Sequence, residues 1–136
     1  EHHTALLETR RAVDAHGDLR PEHIYLGANP VFIDRLEFNP RLRLLDPVEE
    51  LAFLTMECDR LGGRWVGERF LAHYRKASGD TVPASLFAFY EAGRSLLWAV
   101  LSARHLVTGM GNAMDWKHRT RFYLHHGMTR LGGAPP

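Results

Sequence analysis

Of the 136 residues in this chain only one is a cysteine, Cys58. A lone thiol closes no internal disulfide, so no disulfide framework holds the fold, and this usage fits a reducing compartment. Charge of one sign is also missing in any excess: 17 Lys and Arg stand against 16 Asp and Glu, a formal net charge of +1. That balance gives no electrostatic argument for nucleic acid or for an anionic membrane surface. No apolar run is long enough to span a bilayer, because the longest, Leu86 to Leu101, is broken by Glu91 and Arg94. The start, Glu1-His2-His3-Thr4, has no positive segment leading into an apolar one, so no secretory signal is read there. A cytoplasmic chain that engages neither nucleic acid nor membrane is expected. Lacking too is a Gly-rich loop between strands followed by a Lys-bearing strand. Gly62-Gly63, Gly109-Met110-Gly111 and Gly132-Gly133 fall at helix ends or near the terminus and read as caps and loops. The missing initiator Met, and a beginning that already reads as mid-helix, predict a piece of a longer chain.

What is present starts with size and apolar content: 45% apolar residues suffice for one buried core. The chemistry concentrates in His16-Gly17-Asp18-Leu19-Arg20-Pro21-Glu22-His23. Gly17 permits an unusual backbone angle and Pro21 biases Arg20 away from the helical region, so Asp18 sits in a bent loop. Ile24-Tyr25-Leu26 and Val31-Phe32-Ile33 flank Gly27-Ala28-Asn29-Pro30, which predicts a hairpin with a four-residue turn. The hairpin returns Asp34 beside Asp18. Two carboxylates so placed suit phosphoryl transfer, which needs a base for the acceptor hydroxyl and a metal to neutralise phosphate charge.

The residues from His16 to His23 resemble the catalytic loop of the aminoglycoside phosphotransferase family, a kinase-like superfamily, whose usual form is H-G-D-L-H-x-x-N. They also resemble the protein-kinase form, H-R-D-L-K-P-E-N. Ile33-Asp34 is similar to the metal-binding Asp motif of both groups, and Asp46-Pro47-Val48-Glu49-Glu50-Leu51-Ala52 to the D-P-x-x-D-L-A segment after it. The three motifs stand in order within roughly the first third of the chain, and the variant resembles a branch of bacterial phosphotransferase-like proteins. The resemblance implies a mostly helical α+β fold, a kinase-like C-terminal lobe with helices around a small β-hairpin. Residues 1–47 would hold the catalytic loop and metal-site hairpin and 48–136 a helical subdomain, with the nucleotide-binding N-terminal lobe supplied by a longer parent chain.

It further implies an ATP- or GTP-dependent phosphotransferase acting on a small-molecule hydroxyl. Asp18 takes the place of the base and Asp34 that of the Mg²⁺ ligand, His16 orders the loop, and Glu50 supports it from the next helix. Arg20 falls where kinases carry Lys; a guanidinium there would brace the transferring phosphate. His23 departs from the family's metal-binding Asn. Imidazole suits Mn²⁺ or Zn²⁺ better than Mg²⁺, and the readings are an altered metal site, a structural hydrogen bond, a direct phosphate contact or lost activity. The competing expectation is a catalytically impaired binding or scaffold module. Glu37 and Asn39 either extend the metal's oxygen ligands or form a turn.

Beyond the loop, periodicity predicts helices over Thr4 to about Ala15, from Pro47 to Gly62, over Val66–Ala77, from Pro83 onward, and over Asp115–Leu131. Arg35–Leu45 reads as irregular. Inward positions are expected at Phe53, Leu54 and Leu61, at Leu86, Phe89, Tyr90, Leu97 and Val100, and at Tyr123 and Leu124. Glu57, Asp59, Tyr74, Tyr90, Glu91 and Trp98 are the side chains available to an acceptor. His118, His125 and His126 read as a solvated face.

Overall fold

The computed structural model describes residues 12–109 and 111–132, which form four α-helices and two two-stranded antiparallel sheets. The chain divides into two compact units, one up to Phe87 and one from Ala88. The expected helix over Thr4–Ala15 lies outside the described residues before Ala12. Where it is described it is a strand, β1 (Val13–Asp14), because those backbone groups pair with β4 (Leu44–Leu45). The hairpin forms, but with shorter strands and a longer turn than expected: β2 (Ile24–Tyr25) pairs with β3 (Val31–Phe32), Ile24 opposite Phe32 and Tyr25 opposite Val31, leaving the five residues 26–30 between them.

The supposedly irregular stretch from Arg35 has its own polar logic. Arg35 donates to the carbonyls of Ala15 and Asp14 (both 2.9 Å), and Arg43 donates to the Asp14 carboxylate (2.9 Å) and the Leu36 carbonyl (2.6 Å). Arginine is frequent here because its fork satisfies carbonyls that such short strands leave unpaired. Asn39 caps the 3-10 turn Pro40–Arg43 by accepting from the Arg41 amide (3.1 Å), in keeping with its turn-forming reading, and Glu37 is exposed.

α1 (Pro47–Arg60) starts as the sequence requires. Asp46 accepts from the Val48 amide (2.9 Å), Pro47 occupies the first turn, and Glu49 and Glu50 sit at the positive end of the dipole. Phe53, Leu54 and Met56 are buried, whereas Leu61, expected inward, is exposed because the helix has already ended. α2 (Arg64–Ser78) ends on Gly79 in the left-handed conformation, its amide bonded to the Arg75 carbonyl (2.9 Å). The two helices touch at Gly67, where an added Cβ would collide with the Thr55 backbone. Only glycine permits that approach.

α3 (Ala84–Thr108) begins in the first unit and continues into the second, and α4 (Ala113–Arg130) follows, capped by Asn112. On α3 the expected apolar face is displaced. Leu86 and Tyr90 are buried, but Phe89, Leu97 and Val100 are exposed, and Glu91, Ser95 and Ser102 are buried instead. The reason is a polar cluster within the second unit. His126 donates through Nδ1 to the Ser95 hydroxyl (2.8 Å), Ser95 donates to the Glu91 carbonyl (2.7 Å), and Arg130 pairs with the Glu91 carboxylate (3.2 Å). His126 is thus buried rather than on a solvated face, while His118 and His125 are exposed. On α4 Tyr123 is buried and Leu124 exposed.

Candidate active site

The loop from His16 to His23 is fastened from below by one carboxylate. Glu50, in the first turn of α1 and 6% exposed, accepts from the His16 amide (2.6 Å) and from the Gly17 amide (2.9 and 3.2 Å). A buried carboxylate taking two backbone N–H groups fixes the loop and satisfies its own charge. Gly17 is in the left-handed region (φ 86°), and a Cβ there would press on Leu36 and Arg43, so the bend needs glycine for angle and for space. Leu19 anchors the far side, buried against Leu54 and Cys58 with Ile24, Val66 and Phe70 around them. Cys58 is accordingly a packed core residue, and burial pushes its thiol pKa up.

On this platform the polar side chains converge. His16 donates through Nε2 to the Ile33 carbonyl (2.7 Å) and receives the Asp18 amide on Nδ1 (3.3 Å), so one imidazole ties the loop to the end of β3. The Asp18 carboxylate is gripped by Arg20, Nε to one oxygen (3.0 Å) and Nη2 to the other (2.9 Å). Burial pulls the Arg20 pKa down, but the hydrogen bond and negative charge of Asp18 outweigh it, and the net shift is upward. Arg20, expected to face a phosphate, therefore has its fork on the candidate base.

His23 closes the 3-10 turn Pro21–His23, stacks on His16 (5.8 Å between rings) and donates through Nδ1 to the Asp18 carbonyl (2.9 Å). Its Nε2 faces Asp34 Oδ2 at 3.4 Å. Asp34 has φ 60°, the one non-glycine residue with positive φ among those described, and its side chain is 76% exposed. The preceding peptide is pinned on both sides, since Ile33 donates to the His23 carbonyl (3.0 Å) while its own carbonyl receives His16. A non-glycine residue held there carries local strain that the surroundings sustain. The chemistry of this pair, one carboxylate oxygen and one imidazole nitrogen, fits a divalent cation that accepts mixed oxygen and nitrogen donors. No group of three or more His, Cys, Asp or Glu suited to a metal occurs among the described residues.

The six residues picked out in sequence, His16, Asp18, Arg20, His23, Asp34 and Glu50, thus meet in one network. Asp14, with Arg35 and Arg43 beside it, was not foreseen, because no motif marks it. Those two guanidiniums hold its carboxyl below the usual range. Of the side chains considered for an acceptor, Glu57, Tyr90 and Glu91 are buried and so unavailable, Glu57 pairing with Arg60 (2.8 Å). A largely apolar groove of about 490 Å³ lies in the first unit, walled by Val13 and Ala15, by Pro47 and Leu51 of α1, and by Phe70 and Tyr74 of α2. Among the described residues no helix is long and apolar enough to cross a membrane.

Comparison with known proteins finds relatives in Mycobacterium. An uncharacterized protein of Mycobacterium bovis, and one from each of two Mycobacterium tuberculosis strains, are 46% identical over 131 residues, covering 90% of this chain and 26% of theirs. The chain spans about a quarter of the length of the curated relatives it matches. No family model and no solved structure matches it.

Proposed function

We propose that this chain is the catalytic half of an ATP- or GTP-dependent phosphotransferase acting on a small-molecule hydroxyl. The observation that carries the reading is the convergence of three separate sequence segments on one loop, with Glu50 holding its amides and His23 linking the Asp18 backbone to Asp34. Asp18 accepts the proton of the acceptor hydroxyl. Arg20 fixes both oxygens of that carboxylate, so its orientation is set before an acceptor arrives. Asp34 and His23 would hold the divalent cation, which supplies neutralising charge at the phosphate oxygens. His16 and Glu50 keep the loop in shape. The nucleotide lobe belongs to the rest of a longer polypeptide, in keeping with relatives of which this chain spans 26%. We place the activity in the cytoplasm on the strength of the lone thiol.

One observation favours a second reading, a kinase-like binding module without turnover. Arg20 already pairs with both oxygens of Asp18, so the carboxylate has a structural partner that accounts for it without catalysis, with one lone pair left on each oxygen. Calorimetric titration of the longest natural polypeptide containing this chain, with ATP plus Mg²⁺ or Mn²⁺, separates the two. Metal-dependent binding that Asp34→Asn removes, with turnover that Asp18→Ala abolishes while binding persists, supports the enzyme. Binding without turnover for any hydroxyl acceptor supports the module. Silence with either metal sinks the enzyme and leaves the scaffold module, to be tested against a protein partner.

A further inference from the structure

We propose that the His23 and Asp34 pair selects a borderline transition-metal dication, of the Mn²⁺ to Zn²⁺ class, over Mg²⁺; this deepens, and rests on, the reading of Asp34 as a metal ligand. The first support is the tautomer. His23 Nδ1 lies 2.9 Å from the Asp18 carbonyl oxygen, which can only accept, so Nδ1 carries the hydrogen and in the neutral ring Nε2 presents its lone pair. A backbone carbonyl on the distal nitrogen is the usual means of orienting a metal-bound histidine.

The second support is distance. Nε2 and Asp34 Oδ2 are 3.4 Å apart, longer than an ordinary N–H···O bond. Two donors each about 2.1 Å from one ion are about 3.4 Å apart at a tetrahedral angle and about 3.0 Å apart at an octahedral one, so a small side-chain rotation brings this pair to either. The third support is the hold on the two residues' frames. His23 is 12% exposed, stacks on His16 and closes a 3-10 turn, and the Asp34 backbone stands at φ 60° directly after Ile33, whose amide bonds His23 and whose carbonyl receives His16, while the Asp34 side chain itself is 76% exposed. The structure thus sustains an uncommon backbone angle at the residue that turns its carboxylate toward an imidazole.

The selectivity follows from the donor. Mg²⁺ prefers an all-oxygen octahedron and gives up water reluctantly, while imidazole nitrogen favours the later first-row dications. With no third His, Cys, Asp or Glu in the group among the described residues, the remaining positions fall to water and to a ligand's own oxygens. The Asp34 side chain is 76% exposed, so the outer side of the pair is open to water and to a ligand's oxygens.

The longest natural polypeptide containing this chain, metal-stripped, and its His23→Asn and Asp34→Asn variants would be titrated with Mn²⁺ followed by its paramagnetic resonance, with Mg²⁺ as competitor. The expected result is at least about tenfold preference for Mn²⁺ in the wild type, and a loss of about 10–100-fold in Mn²⁺ affinity in His23→Asn with Mg²⁺ affinity retained. Nitrogen hyperfine coupling on wild-type-bound Mn²⁺ gives a second readout that needs no variant. A Mn²⁺ to Mg²⁺ ratio unchanged within about twofold by His23→Asn, or bound Mn²⁺ without nitrogen coupling, overturns the selectivity. If Asp34→Asn still removes binding in that case, the metal role of Asp34 survives. No binding of either ion to the wild type overturns both.

Discussion

The segment from Val13 to Leu45 and the helical pair after it are held by different forces. In the first, no strand exceeds two residues, and many apolar side chains, among them Leu26, Phe32 and Phe38, are exposed. Order there comes from side chains that reach backbone groups across 7 to 34 positions: Glu50 to His16 and Gly17, His16 to Ile33, Arg35 to Asp14 and Ala15, Arg43 to Leu36. In α1 and α2 the backbone satisfies itself locally, and Phe53, Leu54, Met56 and Leu71 supply the packing. A shape fixed by polar contacts can hold carboxylates in uncommon geometry, which an apolar core alone does not do. The helices furnish the stability on which such a loop depends.

Four substitutions test that division. Phe53→Ala, at a fully buried position, is expected to cost about 3–5 kcal/mol in urea unfolding. A loss below about 1 kcal/mol would mean the helical pair is not held by packing. Glu50→Ala strips a buried acceptor from two loop amides and should cost about 2–4 kcal/mol, with hydrogen exchange at His16 and Gly17 rising far more than in α1 or α2. Uniform exchange instead would show that the loop does not depend on this one carboxylate. Asp46→Ala removes the cap of α1 and should cost about 1 kcal/mol, fraying the helix start without touching its core.

The smallest effect concerns Asp14, whose carboxyl is held below its ordinary 3.8 by Arg43 and then Arg35. A depressed carboxyl contributes stability that is present above the unfolded value and is lost as pH falls through the folded one. Stability of the wild type should therefore decline below about pH 4, and Asp14→Asn should flatten that decline by lowering stability slightly at neutral pH while leaving the acid end unchanged. An identical acid profile in the variant would remove Asp14 from the account of the loop.

Helix starts and stops were open to local reasoning because their causes are local. Asp46-Pro47, Gly62-Gly63 and Gly79 act within a few residues, and their helices begin and end within two residues of where expected. The hairpin was legible for the same reason. The pairing of β1 with β4 was not, since two-residue strands carry no periodicity and their partners lie about thirty positions apart. The buried side of α3 was misread because large apolar residues mark a face only when the neighbour is apolar. Here His126 and Arg130 draw Glu91 and Ser95 inward instead.

By itself, then, the sequence determined which residues carry the candidate chemistry and where the chain turns, because residue type and backbone preference are properties of short stretches. Tertiary structure alone decided what those residues do to one another: that the Arg20 fork closes on Asp18, that His23 bonds through Nδ1 and leaves Nε2 toward Asp34, and that Glu50 reaches two loop amides. Hydrogen-bond direction and donor spacing depend on tenths of an ångström between segments distant in the chain, and only the folded arrangement sets those distances.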